Sequence, residues 1–446
     1  MTDLEKTEST TGNITRFVSL MILVLFLCSG MTGLLYQVIW SRMIVKVIGA
    51  APFAISIVLT VFMGGLGLGS YLAGRYIDQI KKSSQLLQLY GLMEIGIGIY
   101  AFVLKGMIAA SQPLFSSIYN HSSEHLLIFN AVILLGAFVL FIVPVTLMGA
   151  TLPILIRFYV ANLGHLGARV GRLYAINTIG AAVGSILSGF LLIKLWGVDG
   201  TLRFAVVINF LIGGISFVLA SWVAKRSALD EQAVDKHDVQ APLPSTGIQY
   251  SRSHQLAVLA IFAVSGYAAM AYEVIWTRLL GLIIGPTTYS FTIVLTTFIV
   301  GLALGSMFFG WLADRSKHPF RLLLVTQLCA AILALAVSQF LGNSQFFFAK
   351  LIFSFRDDFV TLSIAKAALL FLLLLGPTLA LGATFPLVGK IYTSSIHKLG
   401  KSIGFAYAIN TIGALLGSFS AGFILIPLLG KENSLSVVIG AQLLTI

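Results

Sequence analysis

Glu273 places a carboxylate in the middle of an apolar stretch. Residues 265–278 read Ser-Gly-Tyr-Ala-Ala-Met-Ala-Tyr272-Glu273-Val-Ile-Trp276-Thr-Arg278. In hydrocarbon such a group costs on the order of 2.5–3.5 kcal/mol, so it is protonated, paired or turned toward water. The chemistry open to it is proton coupling or cation binding. The competing reading is an internal ion pair, with Arg278 nearest in sequence. A spacing of five suits a same-helix pair poorly, which favours a partner on another helix. Tyr272 and Trp276, at i and i+4, share one helix face. They either stack on a cationic solute or pack as ordinary membrane aromatics. Glu94, within Gly91-Leu-Met-Glu94-Ile-Gly-Ile-Gly98, is a second acid set in apolar sequence. It reads as a coupling group or as a hydrogen-bonded structural one.

These acids need a bilayer around them, and the composition supplies it. Hydrophobic residues make up 58% of the chain and charged residues 10%, against about 25% charged in soluble domains. The formal net charge of +12 fits Lys and Arg gathered on cytoplasmic loops better than nucleic-acid binding. Cys28 and Cys329 both lie in apolar runs, so a disulfide framework is not expected. No phosphate-binding glycine loop, metal-ligand spacing or nucleophile elbow occurs, and no cofactor is expected.

The stretch around Glu273 has an echo 236 residues upstream. Residues 29–42 read Ser-Gly-Met-Thr-Gly-Leu-Leu-Tyr36-Gln37-Val-Ile-Trp40-Ser-Arg42, with Gln37 where the later copy has Glu273. Residues 174–181, Tyr-Ala-Ile-Asn-Thr-Ile-Gly-Ala, return unchanged at 407–414. Apolar runs of spanning length, about 20 residues, fall at 17–47, 52–74, 85–108, 126–156, 171–195 and 201–224. They resume at 255–284, 287–312, 320–341, 361–388, 401–428 and 433–446. The expected fold is therefore all-α integral membrane, with twelve transmembrane helices as two parallel six-helix repeats. That is the major facilitator architecture, with its site at the midplane between the halves. Pro144 and Pro153 in the fourth run, and Pro377 and Pro386 in the tenth, predict broken or protruding helices. The last run is short, so either its helix is thin or the natural chain continues past Ile446.

The expected organisation is a cytoplasmic tail (1–16), a first half (17–224), a polar cytoplasmic linker (225–254) and a second half (255–446). Lys and Arg concentrate on one side, at Arg75, Lys81, Lys82, Arg315, Lys317 and Lys401 among others. That side, with both termini, is expected to face the cytoplasm of a cell with the protein in its plasma (inner) membrane. There the turn Gly310-Trp-Leu-Ala-Asp314-Arg315-Ser-Lys317 pairs with the weaker copy Gly74-Arg75-Tyr-Ile-Asp78-Gln-Ile-Lys81. Both resemble the loop signature of the major facilitator superfamily. Asp78, Asp314 and Arg315 are the expected cytoplasmic gate, the carboxylates capping a helix start or pairing with basic residues. Asn177, Gly180 and Gly184, with Asn410, Gly413 and Gly417, read as close helix packing.

As a set, Tyr272-Glu273-Val-Ile-Trp276-Thr-Arg278, Gly301-Leu-Ala-Leu-Gly-Ser306, Leu147-Met-Gly-Ala-Thr-Leu-Pro153 and residues 174–180 resemble the membrane part of the fused major facilitator/spermidine synthase family. The resemblance covers about 20–446. It implies a membrane protein connected with polyamine-like chemistry, whose relatives commonly carry a soluble aminopropyltransferase-like domain that these 446 residues leave out. The preferred expectation is a secondary transporter of a small polar or cationic, polyamine-like solute working by alternating access. Glu273 would be its binding or coupling acid, with Tyr272, Trp276, Arg278, Gln37 and Glu94 as further candidates. The alternatives are the membrane half of a spermidine-synthase-like enzyme, working with a soluble aminopropyltransferase-like domain or subunit, and a non-transporting scaffold. The expected partners are the lipid bilayer and a small-molecule solute.

Overall fold

The computed structural model describes residues 3–48, 51–122, 126–160, 163–233, 250–284 and 288–446. The first half holds α1 (Asp3–Ile48), α2 (Ala51–Tyr76), α3 (Ser83–Ser122), α4 (Leu126–Tyr159), α5 (Leu166–Ile186) and α6 (Ile193–Ala233). The second holds α7 (Arg252–Ile284), α8 (Thr288–Arg315), α9 (Pro319–Asn343), α10 (Gln345–Ser354), α11 (Phe359–Gly382), α12 (Thr384–Tyr392), α13 (Leu399–Ser420) and α14 (Ile426–Leu443). Among the described residues ten helical stretches are long and apolar enough to cross a membrane. Helices answer the demand that every backbone polar group in hydrocarbon be satisfied internally. Large apolar side chains such as Phe102, Leu135 and Leu372 point outward, as lipid solvation allows.

Two of those stretches, Leu163–Arg226 and Ile396–Leu443, run to 64 and 48 residues. A straight helix of 64 residues would measure about 96 Å at 1.5 Å per residue, roughly three hydrocarbon thicknesses. Each is interrupted by a glycine at positive φ, Gly197 (66°) and Gly430 (76°), a conformation that side chains with a Cβ rarely adopt. The expected run boundaries at 195–201 and 428–433 fall at these glycines.

Proline acts differently in the two places where breaks are expected. α4 runs unbroken past Pro144 and Pro153. The Thr151 hydroxyl donates to the Met148 carbonyl at 2.7 Å, and Thr384 makes the repeat-related bond to Leu381 at 2.7 Å. In the second half α11 runs unbroken past Pro377, and a single turn at Ala383, three residues before Pro386, separates it from α12 while keeping helical backbone angles; the Pro386 ring there opposes the carbonyl four residues back. α10 is a short apolar helix between the expected runs at 320–341 and 361–388; Phe346 and Phe353 on it are exposed. α6 continues to Ala233, into the expected linker, and residues 234–249 of that linker lie outside the described residues.

α5 packs along α8 and α2 along α13, so each half offers two helices to the other. The buried core is distributed unevenly along the bundle. At the end carrying the basic α2–α3 and α8–α9 turns, one apolar cluster joins residues of both halves, among them Phe26, Leu173, Phe262, Phe385 and Ile403. Toward the opposite end the cores separate, one around Trp40 and Phe141, the other around Trp276 and Phe298.

Candidate functional site

Between the halves lies a cavity of about 240 Å³. Its wall is built almost entirely from repeat-related pairs: Ser29 with Ser265, Gln37 with Glu273, Thr151 with Thr384, Tyr174 with Tyr407, Asn177 with Asn410, and Thr178 with Thr411. Helices α1 and α7 bring the Ser and Gln/Glu positions, and α5 and α13 bring the Tyr-x-x-Asn-Thr positions. Tyr174, Phe262 and Tyr407 gather around Phe385, with ring centroids 5.1, 6.0 and 5.4 Å from it. These rings belong to the apolar cluster at the basic end and close the cavity there.

Among the described residues Glu273 is the one carboxylate on this wall, and no Lys, Arg or His lines it. The residue is 3% exposed. Among the described residues its Oε1 has no hydrogen-bond partner. Arg278 reaches the Gly422 carbonyl at 3.4 Å. A buried carboxylate oxygen without a donor is costly unless the space beside it supplies one. Gln37 faces the same cavity from α1 and is nearly as buried.

Tyr272 and Trp276 stand apart from the cavity. They stack on each other at 5.1 Å inside the core of the second half, and the Tyr272 hydroxyl donates to Gln442 Oε1 at 2.9 Å. Tyr36 and Trp40 do the same in the first half, stacked at 5.4 Å, with the Tyr36 hydroxyl on Asn209 Oδ1 at 2.8 Å. Glu94 is fully buried behind the wall, accepting from Ser29 Oγ and Asn209 Nδ2 at 2.6 Å each.

The packing residues have two duties. A Cβ on Gly180 or Gly184 would collide with the carbonyls of Leu27 or Met31, and on Gly413 or Gly417 with those of Ala263 or Tyr267. So α1 lies directly on α5, and α7 on α13. Asn177 donates to the Phe26 carbonyl at 3.1 Å, yet Asn177 and Asn410 also line the cavity. Tyr174 and Tyr407 were overlooked as cavity residues. Their signal was present in the unchanged octapeptide, since identity beyond the small residues exceeds what close packing requires.

At the basic end the two turn carboxylates cross between halves. Asp78 accepts from the backbone N–H groups of Gly400 and Lys401 at 2.9 and 2.8 Å, at the start of α13, with Arg157 Nε 3.4 Å away. Asp314 accepts from Gly167 and Ala168 at 3.0 and 2.8 Å, at the start of α5, with Lys390 Nζ at 3.0 Å. Each carboxylate thus meets the positive end of a helix dipole in the opposite half. Arg315 takes no part; its guanidinium lies 3.8 Å over the Trp311 ring. Among the described residues no group of three or more His, Cys, Asp or Glu could hold a metal ion.

The fold is shared with solved structures. A bacterial homologue of the iron transporter ferroportin in the outward-facing state superposes with a TM-score of 0.57 at 12% identity, covering 96% of this chain and 97% of that one. The same type of protein with soaked iron gives 0.58 at 14%, with 96% and 97% covered. The human organic anion transporter MFSD10 (TETRAN) gives 0.57 at 11%, with 96% and 98% covered. At such identities the likeness concerns the fold. No curated protein sequence matches the chain. The sequence profile of the Major Facilitator Superfamily matches residues 21–418. With a bundle of apolar helices, two repeat-related halves and a cavity between them, the chain is an integral membrane protein belonging to the Major Facilitator Superfamily.

Proposed function

We propose that the protein is a secondary transporter moving a small cationic solute by alternating access, with Glu273 as the binding and coupling acid. The carrying observation is the lone carboxylate on a cavity wall that has no cationic side chain among the described residues, its Oε1 left without a donor there. Such a site attracts a cation or a proton, and solute and proton compete for the same oxygens. A volume near 240 Å³ suits a solute smaller than the drug-sized ligands of ~300–1,000 Å³ pockets. The aromatic floor offers a π face to an ammonium group. Together with the resemblance to the fused spermidine synthase family, this makes a linear di- or polyamine the first solute to test.

We further propose twelve crossings, counting a return at Gly197 and at Gly430, with the basic end and both termini cytoplasmic in the plasma membrane. Asp78 and Asp314 act as two matching latches that hold the cytoplasmic end shut. Releasing them lets the halves rock, with the cavity at the pivot.

The test is thermal stability of the purified protein with putrescine or spermidine between pH 5 and 8. A ligand at a hundred times its Kd adds about 2.7 kcal/mol to the folded state. The expected stabilisation grows with pH, because the proton leaves the acid that the ammonium group needs. Glu273→Gln removes both the stabilisation and its pH dependence. A polyamine response that survives unchanged in Glu273→Gln overturns the assignment.

A further inference from the structure

We propose that Glu94 is a second proton-carrying carboxylate, exchanging its proton with the central cavity through the Ser29 hydroxyl. Ser29 stands on the cavity wall, and its Oγ is 2.6 Å from Glu94 Oε1. The far oxygen, Oε2, accepts from Asn209, whose Oδ1 accepts from Tyr36. Glu94 itself has no exposed surface. One hydroxyl therefore separates a fully buried acid from the cavity.

The second half shows that this carboxylate is not a requirement of the fold. Ala330 occupies the repeat-related position and is itself fully buried. There Ser265 pairs with Thr384 at 3.1 Å, and Gln327 donates to Thr384 at 2.9 Å. Gln442 donates to Gln327 at 3.2 Å, and Tyr272 donates to Gln442. The helices are tied together by neutral groups alone. In the first half the same task is performed by an acid, which is expensive in a membrane interior. The two halves also exchange their chemistry: amide on the wall and acid behind it in the first, acid on the wall and amides behind it in the second.

The titratable groups facing Glu94 are Tyr90 on its own helix and Cys28 and Tyr36 on α1. α6 contributes the neutral Asn209, and among the described residues no cation pairs with Glu94. The acid must then change charge by gaining or losing a proton. A cavity this size, with Ser29, Gln37, Asn177, Glu273 and Asn410 on a wall otherwise largely apolar, accommodates water beside those polar groups. A hydronium there gives its proton to Ser29 Oγ as the existing Ser29 proton passes to Glu94 Oε1. One O–H bond breaks on hydronium, one forms on Glu94, and the serine hydroxyl is restored, since a hydroxyl both donates and accepts. Rotation of the hydroxyl resets the path. A solute molecule reaches Glu273 directly, whereas only a proton passes Ser29.

The inference rests on reading the cavity as a solvated path, but its test needs no solute. Infrared difference spectra of the lipid-reconstituted full chain are recorded as pH is stepped. Two buried protonated-carboxyl bands that titrate are expected. Glu273→Gln removes one of them and Glu94→Gln the other, whereas Ser29→Ala keeps the Glu94 band and slows its hydrogen–deuterium exchange. A single titrating band, lost in Glu273→Gln and indifferent to Glu94→Gln, overturns the second site. Exchange as fast in Ser29→Ala as in the parent overturns the route. Should Glu94→Gln fail to fold, carbon-13 glutamate labelling of the parent still counts the buried bands. Polyamine binding is read separately, so loss of that reading does not decide this one.

Discussion

Tyr272 and Glu273 are adjacent in the chain and opposite in duty. The tyrosine donates to Gln442 inside its own half, and the glutamate faces the cavity. Tyr272→Phe leaves a buried amide oxygen without that donor, a loss of about 1–3 kcal/mol. The expected outcome is a lower melting temperature with an unchanged response to solute, the reverse of the pattern expected for Glu273→Gln. Thermal melting with and without spermidine separates the two. At this scale the sequence was only partly legible. The odd pair in the repeat, Glu against Gln, lies on the cavity wall in both copies, and a charge set in apolar sequence is what singles it out. The aromatics at i and i+4 gave no sign of whether their face turned to the cavity or to α14. That direction is set by the rotation of α7 against its neighbours, which packing decides and composition does not record.

Among the elements, the two turn carboxylates act at the seam between halves. The sequence suggested that Asp78 and Asp314 would cap a helix or meet basic residues. They do both, and the capped helix belongs to the opposite half, which no local pattern can disclose. Asp314→Asn keeps one acceptor and loses the charge and the second acceptor. Charged caps of this kind contribute about 1–2 kcal/mol, or roughly a five- to thirtyfold change in an opening equilibrium. With Cys28 and Cys329 replaced by alanine, a reporter Ala269→Cys on the cavity wall should react that much faster with a thiol reagent added at the basic end. An unchanged rate would show that the latch does not limit opening. Helix boundaries were legible wherever glycine or proline had a backbone reason to act, as at Gly197 and before Pro386. They were not legible at Pro144, Pro153 and Pro377, where the helix continues through the proline, because the neighbouring helices that re-satisfy a disturbed backbone are not written in the local sequence.

Across the whole molecule the repeat reaches the cavity wall itself. Serine faces serine, tyrosine tyrosine and asparagine asparagine across the pseudo-two-fold axis, and the site departs from symmetry chiefly in where its charge sits. If the wall is equivalent from both sides, the carboxylate should work from either half. The double variant Gln37→Glu with Glu273→Gln moves the acid from α7 to α1 without altering the number of charges or the buried volume by more than an amide-for-acid exchange. Both positions are already buried and polar, so folding should survive. The expected result is recovery of the pH-dependent polyamine stabilisation that Glu273→Gln alone removes. A double variant that folds and melts like the parent, yet ignores solute at every pH, would place the binding determinants in the second half alone and reduce the symmetry of the wall to a relic of duplication.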